Sequence, residues 1–323
     1  MEMMHVMFSL YGMPVTAYAL CLAAAVALGI LLLVWGQKKH GLRGDTAETF
    51  ALLALPLGLV GARLFYCLCR LDFYIEMGPM EMLRLWHGGY ALWGAVGGAL
   101  LAALLTAKIT RQSVVKLLDA LTAPAALTIA LGRLAEAFNG EGIGRMIDTE
   151  TMPAFLQQFP FAVPHPQWEE PCWAIFMLEA LAALVILVVL LWKKPAHDGD
   201  KGMLFLILYS ASQSLLEILR ADNFLHWTRV FIRPSQLTAV LVMVGLMLHA
   251  LLRWRKASLR MPKSRVILHW GIFIAGVGVS IWMQFAVQKS ADIPAWVCYL
   301  VMALCSAGFG VAACRLVFGS VKE

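Results

Sequence analysis

Apolar residues run through this chain in nine blocks of about twenty, separated by short polar stretches that hold most of the charge. A helix needs roughly 20 mostly apolar residues to cross a bilayer core. The blocks lie at about 15–35, 47–69, 86–107, 117–137, 172–192, 202–220, 235–252, 266–287 and 294–318. The pattern predicts an all-α fold: a polytopic transmembrane helix bundle of about nine spans. The one long connection, about 138–171, is rich in Pro, Glu and Gln and is expected to be a loop outside the membrane. The first fourteen residues contain no Lys or Arg. The first span is therefore expected to stay as an anchor and not to be removed as a signal peptide.

Composition narrows the class. Of 323 residues, 61% are hydrophobic and 14% charged, against about a quarter charged in soluble domains. A soluble globular chain, a disordered chain and a collagen-like chain are excluded. The net charge of +6 and pI near 9.0 would suggest nucleic acid for a soluble protein, but here the charges must be read loop by loop. With the N-terminus outside, 17 of the 26 Lys and Arg fall on inner connections and seven on outer ones, while Arg63 and Arg133 lie within spans. Basic residues collect on cytoplasmic loops, so the N-terminus is expected outside and the C-terminus in the cytoplasm, with no nucleic-acid partner. Most of the seven cysteines lie within or at the ends of apolar blocks, and Cys67-x-Cys69 has no accompanying His or second pair. No structural metal, no disulfide framework and no cofactor are expected.

Ionisable residues inside spans are costly and mark candidate sites. Glu136, Glu179 and Glu217 fall there together with the two arginines. In the sixth block, Tyr209, Gln213, Glu217 and Arg220 are spaced four, four and three apart, which puts them on one stripe of a helix. Such a stripe suits a substrate site or an interhelical hydrogen-bond seam with Glu217 and Arg220 paired at i,i+3. At the end of the fourth block, Arg133, Glu136, Asn139, Glu141 and Arg145 fall within thirteen residues, interleaved with Gly140, Gly142 and Gly144. Arginine matches phosphate bidentately, so an anionic headgroup site is the physical reading. The third block opens with Trp86-His87-Gly88-Gly89-Tyr90 and continues to Gly94-x-x-x-Gly98, a spacing that also serves tight helix packing. His87 fits a solvated interface position as well as a catalytic one. Under the N-outside topology, His87, the 133–145 segment and Arg220 all reach the outer face. A site there for an anionic lipid follows.

At these residues the sequence resembles the bacterial prolipoprotein diacylglyceryl transferase family. The likeness runs from about Tyr11 to Leu252 and rests on Tyr11-Gly12, Gly61-Ala62-Arg63-Leu64, Asp119 fourteen before Arg133, the Gly132–Arg145 signature, Tyr209, Glu217, Arg220 and Gln236. It implies transfer of diacylglyceryl from phosphatidylglycerol to the lipobox cysteine of a prolipoprotein signal peptide, in the bacterial cell membrane, with phosphatidylglycerol and the prolipoprotein as partners. It implies catalytic roles for Tyr209, Arg133, Glu141 and Glu217, and His87 is the candidate to replace the family's histidine if the helix register is shifted. Phosphatidylglycerol binding falls to Arg133, Asn139, Gly144, Arg145, Arg220, Arg63 and Gln236. The implied organisation is a seven-helix transferase-like core over 1–255, including the outer loop 138–171, and two further transmembrane helices over 256–323. Three departures bear on chemistry. The position of the family's third-helix His is Trp93, a signature Asn is Glu136, and a sixth-helix Arg is Gln213. The family's Gln-Leu-Tyr-Glu is replaced by Cys172-Trp173-Ala174-Ile175 in roughly its place. These departures leave open a catalytically degenerate paralogue that binds anionic lipid or signal peptides. A small-molecule transporter ranks third, because no inverted repeat is visible and the polar residues gather at one face.

Overall fold

The computed structural model of the chain describes residues 6–10, 13–85, 88–165, 167–221, 233–256, 261–289 and 293–319. Tyr11, Gly12, Trp86 and His87 lie outside the described residues. A hairpin of β1 (Val6–Leu10) and β2 (Met13–Thr16) leads into α1 (Ala17–Gly36). There follow α2 (Thr46–Cys69), a short α3 (Leu71–Met77), α4 (Leu92–Thr110) and α5 (Val114–Ala135). Strands β3 (Ile143–Met146), β4 (Ala162–Pro164) and β5 (Pro171–Ala174) come before α6 (Ile175–Trp192) and α7 (Asp200–Leu219). The chain closes with α8 (Pro234–Arg255), α9 (Lys263–Lys289) and α10 (Ala295–Val317). Among the described residues, nine helices, all but α3, are long and apolar enough to cross a membrane. Leu52, Leu64, Val185 and Leu191 point outward and exposed, as lipid-facing residues do.

Helices in lipid gain little from hydrophobic exclusion and associate through close packing and polar contacts. The tightest approach is α2 on α4. A Cβ on Gly94 would lie 2.2 Å from the Gly61 carbonyl oxygen, and one on Gly98 would lie 2.1 Å from that of Leu57. Gly94-x-x-x-Gly98 is thus a packing face. Helix α7 is the hub: it packs against α5, α6, α8 and α10 and is the most buried span. Its N-terminus is fixed by Asp119 of α5, which accepts hydrogen bonds from the backbone N–H groups of Gly199 (2.6 Å) and Gly202 (2.8 Å). A carboxylate there satisfies two orphan donors and suits the helix dipole.

Three elements differ from the sequence pattern. The third span begins at Leu92, not at 86. Gly88 and Gly89 take left-handed backbone with φ of 73° and 79°, which a helix does not admit. The fifth span begins at Ile175, because Pro171–Ala174 pairs as the middle strand of an antiparallel sheet ordered β3-β5-β4. The 138–171 loop is therefore folded. Ile147, Met152, Ala162 and Trp173 cluster with Leu216 and Leu219 and pack the loop onto the end of α7.

The α9–α10 hairpin lies against the other side of α7 and against α8. Ile207, Met243 and Met247 pack there with Phe309, Ala313 and Leu316. Polar contacts cross the same seam. Ser306 donates to the Ala211 carbonyl at 2.5 Å, and the Gln236 amide approaches Gln284 at 3.4 Å. A cavity of about 110 Å³ between α7, α8, α9 and α10 is lined by Ser214, Gln236, Gln284 and Phe309 among others.

Candidate functional site

Arg133 ends α5, and its guanidinium enters a buried cluster bounded by α5, α6, α7 and the start of α8. Glu136, one turn on, is ion-paired with Arg133. Glu179, in the second turn of α6, lies on the buried stripe Ile175, Glu179, Ala183, Ile186, Leu190 of an otherwise apolar span. Its carboxylate accepts two hydrogen bonds and is approached by a third cationic group. Arg220 Nη1 lies at 3.0 Å, Gln213 Nε2 at 3.1 Å, and Arg133 Nε at 3.0 Å but off the angle of a hydrogen bond. Arg220 Nη2 also lies 3.9 Å from Glu136 Oε2. Glu217 pairs with Arg233 at 3.7 Å, and Arg233 donates to the Arg220 carbonyl at 2.9 Å. Three arginines thus face three glutamates.

Tyr209 sits beside this network. Its ring stacks on Phe205 at 5.7 Å and tilts against Trp93 at 5.6 Å, and its hydroxyl interacts with the Arg133 guanidinium. Trp93, in the first turn of α4, fills the space next to the tyrosine and has no group able to accept a proton. Tyr18 of α1 lies within electrostatic reach of Glu136, Glu141 and Arg133.

The other residues singled out from the sequence are distributed as follows. Asn139 and Glu141 lie in the turn after α5, and both backbone N–H groups donate to the Glu136 carbonyl, at 3.0 and 3.2 Å. The Glu141 side chain is exposed. Gly144 bridges to Arg220 as an isolated β pair, and a Cβ there would lie 2.6 Å from the Leu219 carbonyl oxygen. Only glycine lets β3 lie this close to the end of α7. Arg145 lies near Tyr299 of α10, away from the arginine network. Gln236 faces α9 at the cavity.

Arg63 stands elsewhere. Its five N–H groups are taken up by the carbonyls of Glu81, Met82, Arg84, Gly88 and Gly89, and its guanidinium lies 5.5 Å from the Tyr74 ring. It fastens the 81–89 segment to α2. Burial pushes the Tyr74 hydroxyl up to about 12, and it also pushes up the Cys172 thiol on β5.

The model of the prolipoprotein diacylglyceryl transferase family matches residues 5–252. The chain belongs to that family. Among relatives, the phosphatidylglycerol–prolipoprotein diacylglyceryl transferase of Streptococcus mutans is 27% identical over 237 residues, covering 72% of this chain and 88% of its own length. The protein of that name in Streptococcus pyogenes serotype M5 is also 27% identical over 237 residues, covering 71% and 87%. The family match spans α1 to α8 and stops before α9. The arginine network lies wholly within the matched part.

Glu179, Arg233 and Tyr18 join the site without having been assigned to it from sequence. Glu179 carried a readable signal, a lone carboxylate in the middle of an apolar span. Arg233 reads as one more loop cation until the chain folds back, and Tyr18, an uncharged residue in the first apolar block, carries no signal of its own.

Proposed function

We propose that this protein transfers the diacylglyceryl group of phosphatidylglycerol to the thiol of a prolipoprotein lipobox cysteine at the outer face of a bacterial cell membrane. Family membership and the relatives' names support the reaction and both substrates. The lipobox follows from the sequence resemblance. The 17-to-7 division of basic residues supports an outer-face site, since the C-terminal ends of α5 and α7 then point outward.

The observation that carries the reading at this site is the convergence of Arg133 and Arg220 on one buried carboxylate beside Tyr209. In the reaction a C–S bond forms at the glyceryl carbon and the C–O bond to phosphate breaks. Charge grows on the departing phosphate oxygen, where fixed donors in a dry site count most. Two forked guanidinium groups suit that task. The thiol must give up its proton, because the thiolate is the nucleophile. In our reading Tyr209 relays it: the hydroxyl hands its proton to the leaving phosphate oxygen and takes the proton of the thiol. The former tyrosine proton ends on glycerol phosphate and the thiol proton on Tyr209, which leaves the tyrosine as it began. His87 is the alternative acceptor. Glu217 holds Arg233, which in turn holds the Arg220 backbone.

The test is the mass of a lipobox peptide incubated with the purified protein in vesicles. With phosphatidylglycerol the expected product is the diacylglyceryl thioether, and with phosphatidylcholine none. Arg133→Ala is expected to slow formation by about 100-fold or more. No adduct under any lipid composition overturns the proposal.

A further inference from the structure

The arginines that are to receive a phosphate already carry carboxylate partners. Among the described residues, Arg133, Arg220 and Arg233 are ion-paired with Glu136, Glu179 and Glu217, so an incoming phosphodiester meets guanidinium groups that each already have a carboxylate beside them in a space screened from water. Unmatched charge in such surroundings is strongly disfavoured. A phosphate must therefore compete with these carboxylates for the guanidinium groups, and the two nearest the phosphate-binding arginines are not held alike.

Glu179 is fixed. Both of its oxygens are engaged, by Gln213 on one and by Arg133 and Arg220 on the other, and its side chain is 1% exposed. Glu136 is hydrogen-bonded through one oxygen only. Oε1 meets Arg133, while Oε2 stands 3.9 Å from Arg220 and, although buried, has no hydrogen-bond partner among the described residues. It sits on the single turn of 3-10 helix 136–138 that follows α5, before Gly140 and Gly142 with φ of 66° and 69°. A Cβ on Gly142 would lie 2.6 Å from Glu136 Oε2, so that glycine makes the room the carboxylate occupies. This is an anionic group with one lone-pair face unsatisfied, bridging the arginines from a short turn.

We infer that Glu136 is an intramolecular counter-anion standing in the place of the substrate phosphate, and that an anionic headgroup binds by displacing its carboxylate from Arg133 and Arg220. The inference rests on the phosphate-binding reading proposed above for these two arginines. Glu136 then sets the affinity and charge selectivity of the site, and Glu179 keeps the guanidinium groups aligned when Glu136 leaves. The cost of displacement makes binding weaker and confines it to ligands that carry a full negative charge.

The experiment uses the full chain in nanodiscs of phosphatidylcholine, with equilibrium binding of phosphatidylglycerol and of phosphatidylethanolamine. Glu136→Gln, which is isosteric, and Glu136→Asn, which is shorter and neutral, are each expected to bind phosphatidylglycerol at least about tenfold more tightly than the unaltered protein. Binding of zwitterionic phosphatidylethanolamine is expected to change much less. Glu179→Gln is expected to weaken phosphatidylglycerol binding. Unchanged or weaker phosphatidylglycerol binding in both Glu136 variants overturns the inference, as does an equal gain for phosphatidylethanolamine. If that result comes with normal thioether formation by the unaltered protein, the counter-anion fails and the proposed reaction stands. If no form of the protein binds phosphatidylglycerol, both fail.

Discussion

Arg63 and Arg133 both lie within apolar blocks and both were assigned to phosphatidylglycerol from the sequence, yet their tasks differ. The partners separate them. The Arg63 donors are all taken by backbone carbonyls between Glu81 and Gly89, whereas Arg133 faces side chains that can move. Arg63→Met is therefore expected to lower thermal stability, since five part-buried carbonyls of the 81–89 segment lose a guanidinium donor. The loss expected is about 3 kcal/mol or more, read as a lower melting temperature in detergent. An unchanged melting temperature combined with lost phosphatidylglycerol binding would make Arg63 a headgroup ligand instead. Tyr209, Gln213 and Glu217 were legible as a set because a 3.6-residue period projects them onto one side of α7, and all three are buried together. Trp93 was legible as a departure, but its contact with Tyr209 was not, because helix phase says nothing about which side chains meet across two helices.

At the scale of elements, glycine spacing was the most informative signal. Gly94 and Gly98 meet the backbone of α2, while Gly97, on the same helix, has nothing within 4 Å of where a Cβ would stand. Gly94→Val and Gly98→Val are expected to abolish stable α2–α4 packing, and Gly97→Ala to leave the melting temperature within about a degree or raise it slightly. Similar melting for all three would remove the packing argument. Asp119 is the second element-scale device. Replacing it by Ala strips two charge-assisted hydrogen bonds from the start of α7, a loss expected at about 2 kcal/mol. The start of α4 was placed too early, since the aromatic residues and glycines of 86–91 blend into the apolar block by hydropathy alone. Two left-handed glycines and the Arg63 clamp end the helix there, and a hydropathy window does not register backbone handedness. The strands of the 138–171 loop were hidden for a related reason: each is three or four residues long, too short to show alternation.

For the whole molecule, the sequence carried the number of long apolar helices and their approximate limits, because bilayer thickness imposes a length that no soluble fold requires. The expected orientation is checked by labelling single cysteines at the two ends of the chain in intact cells. A membrane-impermeant reagent is expected to reach the N-terminal site and not the C-terminal one, and the reverse result would overturn the topology. The α9–α10 hairpin lies beyond the family match yet shares polar contacts with α7 and α8. A chain ending at Lys256 would expose Gln236 and the Ala211 carbonyl to lipid, so it is expected to melt at a lower temperature than the full chain. The reaction itself is tested most directly by counting both products of one bond exchange. Thioether on a lipobox peptide and glycerol phosphate released from phosphatidylglycerol are measured together, in the unaltered protein and in Tyr209→Phe. The expected result is one glycerol phosphate per thioether, with Tyr209→Phe lowering kcat by about 100-fold or more and leaving KM for phosphatidylglycerol nearly unchanged. Glycerol phosphate released without thioether, or a Tyr209→Phe protein that works at full rate, would contradict the mechanism.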